Sequence, residues 1–112
     1  TGATNLKDMI IKKFGSTIRK FIRFNDLACR FEGDKFAIIL PDTTNDGALI
    51  AAEKLFGNLK TLVIRNDSHE FHTTVTIEVL QYNVKMDTNE FIDVAERMLI
   101  QGQKDGGNKI IS

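Results

Sequence analysis

Arg23 and Asp26 stand three residues apart and carry complementary chemistry. A guanidinium fork pairs with phosphate oxygens or with the edge of a nucleobase, and a carboxylate accepts from the N–H groups of a base. At a helix end the same two residues can instead pair with each other, the arginine being favoured there by the helix dipole, so the spacing leaves both uses open. His69 and His72 invite a metal reading. Three residues apart on a strand they face opposite ways, and no Cys or further His accompanies them, so no metal is expected. The single cysteine, Cys29, sits between apolar neighbours and is expected to be a buried, reduced thiol without chemistry.

The elements that must position these groups follow from hydrophobic period. Leu6, Met9, Ile10, Phe14, Ile18, Phe21 and Ile22 recur at three- and four-residue steps, which predicts a helix over about 6–22 with Lys12, Lys13, Arg19 and Lys20 on its solvated side. Leu27–Phe31 and Phe36–Leu40 flank a turn-forming Glu32-Gly33-Asp34-Lys35 and predict a β-hairpin, on which Arg30 is an exposed strand residue. Pro41 to Asn45 break the pattern and offer caps for a second helix over about 46–60. Arg65 to His69 read as a polar loop. A strand follows over Phe71–Tyr82, with Phe71, Thr73, Val75, Ile77 and Val79 on one face. Thr88 is expected to cap a third helix that ends before Gly106-Gly107, and Lys109-Ile110-Ile111 suit a short last strand. The order predicts a single α+β layer domain over 1–112.

Composition narrows the classes. The 112 residues are 42% hydrophobic and 27% charged, enough for one domain with a real core. Fifteen basic residues offset fifteen acidic ones, so no global surface for nucleic acid or anionic membrane is expected. No apolar run approaches the roughly 20 residues that cross a bilayer, and the amino terminus lacks the order of a signal peptide, so a cytoplasmic location is expected.

The segment Arg23 to Phe36 resembles the RxxD motif, five-residue spacer and signature loop of the GGDEF family, the diguanylate cyclase fold, without a gap. Leu40-Pro41-Asp42-Thr43, Ala51-Ala52-Glu53-Lys54-Leu55 and Thr74-Val75-Thr76-Ile77 are similar to the family's next strand end, helix and strand, and Ala95-Glu96 and Gly106-x-Asn108 extend the likeness. The fold that the resemblance implies is a nucleotidyl cyclase-like, antiparallel-type sheet flanked by helices. The likeness begins after the family's first strand and the metal-binding Asp on it, so the chain is expected to be a fragment of a longer signalling protein.

The resemblance implies a cyclase that joins two GTP molecules across a dimer, with two divalent metals offsetting phosphate charge. The signature loop departs from that pattern. Its metal-binding Glu is replaced by Lys35, which has no lone pair and repels a cation, and its first Gly by Glu32, while Gly33, Asp34 and Phe36 remain. In the late phosphate-handling motif, Gln103 stands for a Lys and Gly107 for an Arg. The expectation is therefore a degenerate domain with no catalytic residues and no cofactor, Mg2+ entering only if the chain is a cyclase after all. Asp8, fifteen residues before Arg23, falls where the family hydrogen-bonds guanine, although an Asp in a first helical turn is also explained by the dipole.

Arg23 and Asp26 correspond to the family's product-binding RxxD site, and Lys54 to a second Arg that the next helix often supplies. They imply a cyclic di-GMP receptor that relays to attached domains or a partner. Two other readings remain: an interaction or homodimerisation module that has kept only the fold, and an active cyclase.

Overall fold

The computed structural model describes residues 6–32, 35–82 and 84–112. The chain forms two compact units by contact, one comprising residues 1–42 and 61–73, the other 43–60 and 74–112.

In the first unit, helix α1 runs Leu6–Phe21, one residue shorter than its period predicts. It buries Ile18 and leaves Lys12, Lys13, Arg19 and Lys20 in solvent, as an amphipathic stripe requires. The predicted hairpin forms from β1 (Leu27–Glu32) and β2 (Lys35–Ile39), antiparallel, with Leu27 opposite Ile39 and Arg30 opposite Phe36, and a register shift between Arg30 and Glu32. Gly33 and Asp34, at its tip, lie outside the described residues.

The second unit opens with α2 (Asn45–Lys60), whose Ala52, Leu55 and Leu59 are core residues. Thr44 caps it, its hydroxyl accepting from the Gly47 N–H at 3.0 Å.

The segment after α2 differs from the sequence reading. The polar run Arg65 to His69 is not a loop but part of a second hairpin, in the first unit, in which Asp67 and Ser68 turn the chain between β3 (Ile64–Asn66) and β4 (His69–Phe71). Asp67 adopts φ 57° there, a left-handed conformation that Asp tolerates better than most residues. Ile64 is a core residue of this unit, packed on the side of α1.

The strand predicted over Phe71–Tyr82 is thereby divided. Its first residue, Phe71, pairs with Ile64 of β3, and in the second unit only β5 (Ile77–Glu78) continues as strand. Alternating apolar residues describe one face of an extended chain but not where its pairing changes partner.

Helix α3 runs Thr88–Lys104. Asp87, not Thr88, is its cap: the Asp87 carboxylate accepts from the Glu90 N–H at 2.8 Å, which holds its pKa below the usual value. At the other end Gly106 N–H reaches the Gln103 carbonyl and Gly107 N–H the Gly102 carbonyl, a Schellman closure with both glycines at positive φ. The chain then enters β6 (Ile110–Ile111), which pairs parallel with β5.

Gly102 is the point of closest packing in this unit. A Cβ there would lie 1.8 Å from Ile111 Cδ1, so the Ile111 side chain of β6 packs directly on the backbone of α3. Replacing Gly102 by Val is expected to destabilise the chain by about 1–3 kcal/mol through overpacking, read as a lowered urea midpoint with an unchanged slope.

Glu78, on β5, is half-buried, and its Oε2 has no hydrogen-bond partner among the described residues. Burial pushes its carboxyl up to about 7. The fold thus binds a proton that the unfolded chain has lost, and stability falls as pH rises from the ordinary carboxylate range through about 7. Glu78→Gln should raise Tm at about pH 8 and leave it unchanged near about pH 4, as thermal melts at the two pH values would show.

Candidate functional site

The end of α1 and the start of β1 are joined by Arg23-Phe24-Asn25-Asp26, and the two outer residues close on each other. Asp26 N–H donates to the Arg23 carbonyl at 3.0 Å, forming a β-turn with Phe24 and Asn25 at its corner. In return, Arg23 donates its backbone N–H to Asp26 Oδ2 at 2.8 Å, its Nε to the same oxygen at 3.1 Å and its Nη2 to Oδ1 at 3.1 Å. Both oxygens of the carboxylate are thus occupied by one arginine.

The two partners differ in exposure: the Arg23 side chain is 65% exposed and that of Asp26 only 3%. The Arg23 side-chain hydrogen bond, followed by the backbone one, holds the Asp26 carboxyl below its usual range, and the same hydrogen bond raises the Arg23 guanidinium. The structure therefore contains the ion pair that the spacing allows, with the arginine still facing solvent.

Arg23, Phe24 and Asn25, together with Pro41 and Asp42 from the end of the hairpin, line a cavity of about 300 Å3. A larger depression of about 500 Å3 runs along α3 beside Asp93, Glu96, Arg97 and Ile100, but a single helix face encloses nothing. Among these two, only the first brings residues from separate segments around a predicted site residue. Nothing in the sequence pattern marked Pro41 or Asp42 for it; a return of the hairpin to the turn that starts it was the one available signal.

The remaining predicted residues are distributed as follows. Lys54 is exposed on α2. Asp8 is exposed in the first turn of α1, where the dipole favours it. Glu32 and Lys35 are partners in the hairpin register next to the undescribed Gly33 and Asp34. Phe36 is half-buried with its ring against α1, where a Cβ on Gly15 would come within 3.7 Å of Cε1, so its role is to seat the hairpin on the helix. Arg30 is exposed, as predicted.

Cys29, expected to be buried, is exposed as well. The strand turns Leu27, Cys29 and the facing Ile39 towards solvent and Ala28 inward, so apolar neighbours in sequence did not imply an apolar surrounding. His69 lies in β4, its ring stacked on Phe71 with centroids 6.2 Å apart.

A profile of the diguanylate cyclase GGDEF domain matches residues 5–109. The chain belongs to the GGDEF family. It is similar to the probable diguanylate cyclase DgcT of Escherichia coli, with 31% identity over 108 residues, 93% of this chain and 24% of that protein. It is also similar to diguanylate cyclase A of Treponema denticola, with 23% identity over 104 residues, 92% of this chain and 28% of that protein. The chain spans about a quarter of the length of these relatives.

Its α+β fold matches the crystal structure of the diguanylate cyclase SiaD in complex with its activator SiaC from Pseudomonas aeruginosa, with a TM-score of 0.87 at 20% identity over 93% of this chain and 40% of that one.

The paired Asp26 sets a pH dependence. A carboxyl whose folded pKa is depressed stabilises the fold above its unfolded pKa and loses that contribution as pH falls through the folded value. Asp26→Asn is therefore expected to lower Tm at about pH 7 and to converge with the parent chain at about pH 2, as melts across that range would reveal.

Proposed function

We propose that this chain is the GGDEF module of a signalling protein, catalytically silent, which binds cyclic di-GMP at the Arg23–Asp26 turn and passes its ligand state to an attached domain or partner. The observation that carries the reading is the turn itself: it holds a solvent-facing guanidinium in fixed orientation at the mouth of a cavity. A fork fixed before the ligand arrives loses less freedom on binding a phosphate or a guanine edge. Lys54, exposed on α2, keeps the charge of the arginine that the family often carries there, without its bidentate fork.

Silence at the catalytic loop is supported by its donor set. The family's cyclases use Mg2+, which oxygen ligands hold, and Lys35 puts an ammonium where the family motif has a metal-binding Glu. These residues do not fit a two-metal centre, and no phosphoryl-transfer step is assigned to them. Because the relatives are several times longer than this chain, attached domains belong to the same proposal.

One observation favours a second reading, a module that docks a protein partner. Leu27 and Ile39 face each other across β1 and β2 and are 63% and 61% exposed, an apolar pair left in water on one strand face. The solved relative in complex with its activator gives this reading a precedent in the fold.

Calorimetric titration decides between them. The chain is expected to bind cyclic di-GMP saturably, Arg23→Ala to weaken that binding by roughly tenfold or more through loss of a charge-assisted pair, and GTP with Mg2+ to give no cyclic product. Absence of heat with cyclic di-GMP would leave the docking module, and product formation would restore the cyclase.

A further inference from the structure

Asp26 is the residue of the motif suited to accept from a base, yet both its oxygens are held by Arg23 and its side chain is 3% exposed. A base arriving at this turn meets a carboxylate that is almost out of reach and whose two oxygens already accept from Arg23. The cavity supplies another carboxylate. Asp42 lines it too, is exposed, and sits at φ 51°, in the left-handed region that Asp tolerates.

Phe24 lines the same cavity and is fully exposed although it is the most apolar residue of the turn. Packing does not explain it: Phe24 stands at the corner of the turn, exposed and on the wall of the cavity.

These groups have a common ligand. An exposed aromatic face stacks on a nucleobase, a carboxylate accepts from the N1–H and N2–H groups that guanine has and adenine lacks, and a guanidinium pairs with O6 and N7 or with phosphate. We infer that guanine binds this cavity by stacking on Phe24 and donating to Asp42, with Arg23 on its O6 and N7 edge or its phosphate. Base recognition thereby passes from the sequestered Asp26 to Asp42. The inference rests on the proposed cyclic di-GMP function and adds the two residues that select the base.

The chain contains no tryptophan, so Phe24→Trp places a single indole at the stacking position. Its emission is expected to be quenched on titration with cyclic di-GMP. By calorimetry, Phe24→Ala should bind roughly 5- to 150-fold more weakly than the parent chain, the usual effect of removing one base-stacking aromatic. Asp42→Asn, which tolerates the same left-handed backbone, should lose affinity for cyclic di-GMP and with it the preference over cyclic di-AMP.

Parallel titration with GTP separates the sources of the base: equal binding with the same losses upholds the guanine slot and assigns it to mononucleotides. If cyclic di-GMP binds the parent chain and depends on Arg23 while both Phe24→Ala and Asp42→Asn bind unchanged, the slot is overturned and the receptor function stands. If neither nucleotide gives heat with the parent chain, both are overturned.

Discussion

A carboxylate withdrawn from water must be paired, and the one on Asp26 is paired completely by a residue three positions earlier. Much of the first unit near the candidate site follows from that constraint. The pair closes the corner between α1 and β1, which sets where the hairpin leaves the helix, and it forces the two intervening residues outward. The hairpin, seated against α1 by Phe36 near Gly15, then returns its far end, with Pro41 and Asp42, to the same corner. A local ion pair thus determines which side chains surround the cavity, including residues that contribute nothing to the pair.

The three helices were legible because each presents a one-sided apolar stripe long enough to average out local irregularity, and the first hairpin because two apolar runs flank a turn. What escaped depended on partners. Phe71 to Tyr82 alternate as one strand would, but a left-handed Asp67 folds the first part back onto Ile64–Asn66, while Ile77 and Glu78 pair in parallel with Ile110 and Ile111. Cys29 looked buried by its neighbours in sequence, and the pleat turned it to solvent. Asp87 and Thr88 are both good caps, and sequence could not say which adopts the extended backbone that a cap needs.

The candidate site was legible to a similar depth. Arg23 and Asp26 could be named from spacing, and of the two uses that spacing allows the structure contains the ion pair, made by an arginine that faces outward. Phe24 was quoted within the motif without a role, and Asp42 was read only as part of a strand end, because a cavity wall is a property of two segments meeting. Glu78 carried no sequence signal at all; only the depth at which its oxygen lies distinguishes it from the other glutamates.

The closure at the end of α3 limits what position 107 can hold. Gly107 stands where the late motif of the family resembles one carrying an arginine, and here it has φ 61° with its Cβ direction 3.0 Å from the Thr76 hydroxyl, while the neighbouring Asn108 N–H donates to that same oxygen. A side chain at this position would meet both a disfavoured backbone and an occupied neighbour. An arginine placed here would therefore cost folding stability before it could make any phosphate contact, so position 107 is held by the geometry of the helix end and not by charge.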